Sequence, residues 1–317
     1  MFAARNAFMR ADSRVPVIYA GTSAGLGIST NGGTSFTNQT FTGDFGVNNV
    51  QAVYAVGSAI YAGTGNGLSI STNGGTSFTV KTTTNGLGNN IVRGVFADGS
   101  TVYAATDGGL SISTNSGTSF TNKTTTAGLG NNQVYGVYAV GSTIYAATSG
   151  GLSISTDGGT SFTNKTTTAG LGANTLRGVF AVGSNVYLAA FQGGLSISTD
   201  SGTSFINKTT GDGLGFNNTL GVYAIGSTIY VATGNGLSIS TNSGTSFTNK
   251  TTTDGLGSNS VNGVYATGST IYAATSGGLG ISTDGGTSFT NKPPRLVWAA
   301  TLFARSTRYE TPHHHRR

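Results

Sequence analysis

Cysteine is absent from the chain, which excludes disulfides, thiolate metal sites and thiol nucleophiles. Histidine occurs only as His313, His314 and His315, beside the C-terminus. A His tract can bind metal, but this one reads as an appended end, and no imidazole is left elsewhere to act as a general base. Glutamate is represented by Glu310 alone, in the same tail. Charged residues make up 8% of the chain, and no stretch is long and apolar enough to span a membrane. Residues 1–14 lack the apolar segment of a secretory signal. No stretch shows helical apolar periodicity, and no capping box precedes one. No metal site and no cofactor is expected.

What the chain has in abundance is glycine, threonine and a repeat. The phrase Ser-Thr-(Asn/Asp)-(Gly/Ser)-Gly-Thr-Ser-Phe recurs seven times, ending at Phe36, Phe78, Phe120, Phe162, Phe205, Phe247 and Phe289. A period of 42 or 43 residues means that each unit buries its apolar face by stacking on its neighbours. Within a unit the rhythm is that of short strands. In the third copy, Val92 to Ala97, Thr101 to Thr106, Leu110 to Ser113 and Thr118 to Lys123 are β-rich runs separated by Gly/Asn/Asp/Ser clusters. Each unit is predicted to be a four-stranded antiparallel meander, A to D.

Four strands in about 40–45 residues, repeated four to eight times, is the arithmetic of a β-propeller. Seven copies predict an all-β, seven-bladed, monomeric ring with a central channel. A Thr-rich β-solenoid is the rival, but its coils are shorter and nothing would stop it at seven. Strand A supplies an aromatic core position (Tyr54, Phe96, Tyr138, Phe180, Tyr223, Tyr265), and strand B another (Tyr19, Tyr61, Tyr103, Tyr145, Tyr187, Tyr230, Tyr272). With the seven Phe, these rings are expected to fill the space between blades.

Ser155-Thr156-Asp157-Gly158-Gly159-Thr160-Ser161-Phe162 resembles an Asp-box, the Ser-x-Asp-x-Gly-x-Thr-Trp turn of bacterial neuraminidase repeats. The resemblance runs through all seven units, about residues 15–292. It implies a propeller like those of sialidases, sortilin-type receptors and photosystem assembly factors, with the box at the C–D turn. The third box position is Asp157, Asp200 and Asp284 in three copies and Asn31, Asn73, Asn115 and Asn242 in four, and Phe replaces Trp. An Asx side chain bonding its own backbone before Gly pins a turn whether or not it is charged, so the boxes read as structural.

The family hosts many functions, so the site must be argued separately. A glycosidase needs two flanking carboxyl groups, and sialidases clamp their substrate with three arginines. Residues 15–292 contain only Arg93 and Arg177, and most of the Asp residues sit in Gly-rich turns. The expectation is a non-enzymatic binding propeller, most plausibly for a carbohydrate or cell-surface ligand; an Asp-box glycoside hydrolase or a protein-interaction scaffold is the alternative. The formal charge of +6 belongs to the ends, because within 15–292 six Lys and two Arg balance eight Asp. That argues against nucleic acid as a partner, and a neutral Ser/Thr/Asn-rich ring suits an extracellular or cell-surface setting.

The ends depart from the repeat. The first copy starts at strand B, leaving residues 1–14 atypical, and 293–317 form a basic tail. Either 296–300 or 7–10 could supply the missing strand A. Binding, if it is not shared among symmetric inter-blade grooves ringed by six strand-D lysines, should lie where the repeat is broken. The resemblance places D–A and B–C loops on one face, opposite the boxes. There the residue before the strand-A Gly-Val varies, giving Gln51, Arg93, Tyr135, Arg177, Leu220 and Asn262. Copy five carries an insertion, Phe191-Gln192, and the next linker carries Phe216. Arg93, Tyr135, Arg177, Phe191, Gln192, Phe216 and Leu220 are the candidate ligand-binding residues. Aromatic planes with an Arg and amides suit a sugar or acidic ligand. Phe41 and Phe45 form a second, weaker candidate.

Overall fold

The computed structural model describes residues 7–10, 17–40, 48–293 and 303–304. Their strands form seven antiparallel sheets set in a ring, a seven-bladed β-propeller. The third blade shows the pattern, with strands A to D at Val92–Asp98, Thr101–Thr106, Gly109–Ser113 and Thr121–Lys123. In the first blade Ala7–Arg10 takes the place of strand A, pairing antiparallel with Val17–Thr22 so that Phe8 lies opposite Tyr19. Tyr54 faces Tyr61 in the same register in the second blade. Phe303–Ala304 adds to Ala7–Arg10 as a parallel fifth strand. The other closing segment considered, 296–300, lies outside the described residues.

Strands A to C are buried on both sides because blades stack face to face. This is why strands A and B read mostly as continuous apolar and small residues, whereas strand C alternates Leu and Ile with serines that are themselves buried. Around the axis the strand-A aromatics touch in sequence: Tyr54–Phe96 at 5.0 Å between ring centroids, Phe96–Tyr138 at 4.6 Å, Tyr138–Phe180 at 5.0 Å, Phe180–Tyr223 at 4.9 Å and Tyr223–Tyr265 at 5.0 Å. Their tilted arrangement sets ring edges against faces, the favoured geometry. Burial pushes the hydroxyls of Tyr138 and Tyr265 up to about 12, so both stay neutral at physiological pH.

Blade-to-blade contact is keyed by the glycine at the fifth position of each box. A Cβ at Gly75 would stand 2.8 Å from Ile28 Cδ1 of the preceding blade, and one at Gly202 would stand 2.7 Å from Ile154 Cδ1. The same contact closes the ring: Gly33 of blade one receives Ile281 of blade seven, at 2.6 Å.

The box itself is a local hydrogen-bond cage. Ser155 Oγ donates to Asp157 Oδ1 at 2.7 Å and accepts from the Gly159 N–H at 2.8 Å. Asp157 in turn accepts from the N–H groups of Thr160 and Ser161 and from Ser161 Oγ at 2.6 Å. In the Asn copies the last bond reverses, Asn115 Nδ2 donating to Ser119 Oγ at 3.0 Å, which is why Asn and Asp interchange. The Ser161 and Ser155 hydroxyls hold the Asp157 carboxyl well below the usual carboxylate range, and Asp200 and Asp284 are held down in the same way. A depressed folded-state pKa means stability present above the ordinary value of 3.8 and lost as pH falls through the folded value. The triple replacement Asp157→Asn, Asp200→Asn, Asp284→Asn is therefore expected to flatten the fall of Tm between about pH 4 and pH 2. Parallel acid limbs for variant and wild type would refute this role.

A second repeated clasp ties strands to linkers. Ser111 Oγ donates to Asn122 Oδ1 at 3.0 Å and accepts from the Gly88 N–H at 2.9 Å, while Asn122 Nδ2 donates to Gly108 O at 2.9 Å. Blade seven has Gly280 in place of that serine, and Asn291 Oδ1 is left buried without a partner. Gly280→Ser is expected to stabilise the fold by about 1 kcal/mol by supplying the missing donor. A Cβ there would stand 2.8 Å from the side-chain end of Leu256, which must shift slightly, with Phe289 and Ala273 at ordinary contact distance. A drop in Tm would show that this glycine is needed for space.

The linkers from strand D to the next strand A are not plain loops. Thr83–Asn85 and its four counterparts form single 3-10 turns. Capping boxes are present after all, at Thr82 with Asn85, Thr209 with Asp212 and Thr251 with Asp254. The signal was missed because the third residue is Asn or Asp instead of Glu or Gln. Asp212 and Asp254 also pair with Lys208 and Lys250 at 3.4 Å, giving two of the strand-D lysines a structural partner.

Candidate functional site

B–C turns and the ends of the D–A linkers share one face: the Asp107 N–H donates to Ile91 O at 3.3 Å and the Phe191 N–H to Thr175 O at 2.8 Å. The boxes lie at the other face with the A–B turns, the Ser116 N–H donating to Ser100 O at 2.8 Å. On the first face every complete strand A opens with a β-bulge. Val92 pairs with Thr106 and Gly94 with Ala105, so Arg93 is left over. The same shift leaves over Gln51, Tyr135, Arg177, Leu220 and Asn262. The variable residue at the start of strand A is thus the bulged one, where the backbone re-aims a side chain out of the ladder. The residue after the bulge is small in each of these strands, Ala52 in the second blade and glycine in the others, and at Gly94 a Cβ would stand 2.8 Å from Tyr135 O of the next blade.

Four candidates converge. The Arg177 guanidinium carbon lies 4.2 Å from the Tyr135 ring centroid and 4.7 Å from that of Phe191, and Arg93 lies 5.4 Å from Tyr135. The two cations differ sharply. Arg93 makes a two-pronged ion pair with Asp107, through Nε to Oδ1 and through Nη2 to Oδ2, the latter at 2.6 Å. That bond raises its pKa. Arg177 has no carboxylate partner among the described residues, and its Nε is buried without an acceptor. Burial lowers its pKa and Arg93 presses the same way, against Tyr135, but an arginine remains a cation in proteins.

Three residues of this cluster were not anticipated. Asp107, read as a turn residue, is the partner of Arg93. Gln133 donates through Nε2 to Asp107 Oδ1 at 3.3 Å and accepts from the Tyr135 hydroxyl at 2.7 Å, pinning that ring. Thr219 stands where the other strands A begin with Val or Leu, and its hydroxyl reaches Ala190 O at 3.0 Å and Gly194 O at 2.7 Å. In other blades a Thr at the end of strand B closes its own turn, as Thr106 Oγ1 does to Gly109 O at 2.8 Å. Blade five has Ala190 there, and the next blade supplies the missing hydroxyl. Each of the three departs from the repeat, and that departure was the available signal.

The remaining candidates are more dispersed. Gln192, in the Phe191 turn, is exposed with a left-handed φ of +59°. Phe216 is 49% exposed and covers the blade-six B–C turn, where a Cβ on Gly234 would be 3.2 Å from its ring. Leu220 is half-buried at its bulge. Neither Phe216 nor Leu220 stacks on Arg177 among the described residues. Phe41 and Phe45 lie outside the described residues.

No protein-family model matches the chain, and neither does any curated protein sequence. Solved structures do. The chain is similar to the extracellular domain of BT3049 from B. thetaiotaomicron (18% identity, TM-score 0.65), covering 93% of this chain and 41% of that one. It is similar to YCF48 bound to D1 peptide (15%, 0.61; 89% and 90% covered) and to a chain of the mitotic checkpoint complex (12%, 0.65; 92% and 87% covered). The chain thus spans less than half of the BT3049 domain. These likenesses establish the propeller fold. Among the described residues, no helix is long and apolar enough to cross a membrane.

Proposed function

We propose that the chain is a non-enzymatic recognition propeller that takes a carbohydrate or other cell-surface ligand on its bulge-side face, at the cluster around Arg177. The carrying observation is the coordinated break in the repeat. Arg177 stacks between Tyr135 and Phe191, while Thr219 of the next blade holds the Phe191 turn. Unselected drift would not be expected to place a compensating hydroxyl on a neighbouring blade. Exposed aromatic surface, an amide and a cation together suit a sugar with a charged group. Hydrolysis is disfavoured because Asp107, the carboxylate of this cluster, is locked to Arg93 and a glycosidase needs two carboxyl groups flanking the bond. BT3049 and BT4673 neighbours are described as extracellular domains, consistent with a surface setting for a neutral, sparsely charged ring.

A glycan array with wild type and Phe191→Ala is the test. Hits that weaken by about 1–3 kcal/mol in the variant are expected, the usual loss for an anchor residue, with one ligand per ring. Silence on the array combined with turnover of a chromogenic glycoside would replace this reading by the hydrolase one. Silence in both, with capture of a protein partner, would replace it by the scaffold reading.

A further inference from the structure

We infer that Asp107 sets the charge selectivity of this face, leaving Arg177, which has no carboxylate partner among the described residues, to receive a singly charged planar oxyanion such as the carboxylate of a uronic-acid sugar. The inference rests on the recognition reading above and specifies its ligand.

Two arginines lie against the Tyr135 ring, and among the described residues only Arg93 has a carboxylate partner. Arg93 spends Nε and Nη2 on Asp107, and both partners are largely buried, with 18% and 17% of their side chains exposed. The Arg177 guanidinium lies against two aromatic rings, Tyr135 and Phe191. Its Nε is buried, so the donors that would meet a ligand are those of the terminal Nη1 and Nη2. An edge-on guanidinium matches a carboxylate, which it grips with two parallel hydrogen bonds. Further unpaired polar atoms lie on this rim: Asn218 Oδ1 and Asn262 Nδ2 are buried without partners, and Asn262 is only 4% exposed. Buried polar groups ordinarily have partners, and a hydroxylated ligand or the water around it would supply them. A sugar is favoured over a peptide because this face presents an exposed aromatic ring, Phe216 on the blade-six B–C turn, together with the exposed amide of Gln192, a combination suited to a hydroxylated ring.

Asp107 does two things in this arrangement. It cancels Arg93, which would otherwise repel Arg177 and offer a second cation. Through Gln133 it also fixes the Tyr135 hydroxyl, so it acts as a positioning residue and need not touch the ligand.

Calorimetry with three trisaccharides tests this: one ending in a single glucuronate, its glucose-ended counterpart, and a sulfated glucuronate form carrying two charges. Wild type is expected to bind the glucuronate form about tenfold tighter than the neutral one, the worth of hydrogen bonds to a charged group. Asp107→Asn should raise the ratio of dianion to monoanion affinity by about fivefold or more and steepen its salt dependence, because a second cation is released. Adding Arg93→Gln to Asp107→Asn should restore the wild-type ratio, a rescue that a merely structural role for Asp107 would not produce. An unchanged ratio in Asp107→Asn, or no rescue in the double variant, overturns the assignment. Equal binding of a peptide C-terminal carboxylate overturns the sugar class. Binding of neutral glycans without preference for glucuronate overturns the one-cation site while leaving the recognition reading intact.

Discussion

Gly128→Ala is expected to destabilise the ring by about 2–4 kcal/mol, whereas Gly141→Ala should cost only about 1 kcal/mol. Both glycines have left-handed backbones, at φ +96° and +59°, so both replacements carry the steric penalty of an L-residue there. They differ in surroundings. Gly128 ends the 3-10 turn Thr125–Ala127, and a Cβ on it would overlap the backbone carbonyl of Phe162 in the next blade. That carbonyl cannot step aside, because the Phe162 N–H donates to Ala127 O at 2.8 Å and holds the linker against strand D. Gly141 sits in an A–B turn with nothing within 4 Å of the position a Cβ would take. Denaturant melts of the two variants check the difference. Equal losses would mean that the linker yields, and that contact between linker and blade is not what fixes blade spacing.

Arg177→Leu is expected to weaken ligand binding by more than about tenfold, the loss of a charge-assisted contact, while raising fold stability by about 1 kcal/mol. The two effects oppose each other for one reason. The guanidinium is half-buried, has an orphaned Nε and makes no ion pair among the described residues, so the folded protein bears its desolvation without full compensation. Leu220 occupies the equivalent bulge one blade on, so leucine is tolerated by the local backbone. A residue that weakens the fold yet occupies the centre of the irregular patch is best explained by what it binds. A urea melt and a calorimetric titration measure both effects. A clear loss of stability in Arg177→Leu would show that the stacking outweighs desolvation, and the argument for function from strain would fall.

Much of the molecule was legible before its folding was known. The seven box phrases, the strand rhythm and the Gly-rich turns are local, and each is set by residues within a few positions of one another. The box cage of Ser155, Asp157 and Ser161 is built from a single heptapeptide, which is why its turn role could be read directly. The 3-10 linkers were missed, because their capping uses Asn85 and Asp212 where a Glu was sought.

The site was legible only as a set of departures from the repeat. That Gln51, Arg93, Tyr135, Arg177, Leu220 and Asn262 vary can be seen by aligning the units; that all six are bulged, and therefore re-aimed, depends on strand register. Asp107 looked like any turn Asp, because its meaning lies in Arg93, fourteen residues away, and in Gln133 on the next blade. Thr219 looked like a conservative change from Val until the turn it closes, in the previous blade, was in place. Period, blade number and turn chemistry follow from the sequence by itself because they are short-range and repeated seven times. Which arginine is neutralised, which is free and which aromatic rings enclose it were decided by tertiary structure alone, because those contacts join single residues from different blades and no periodic signal can encode them.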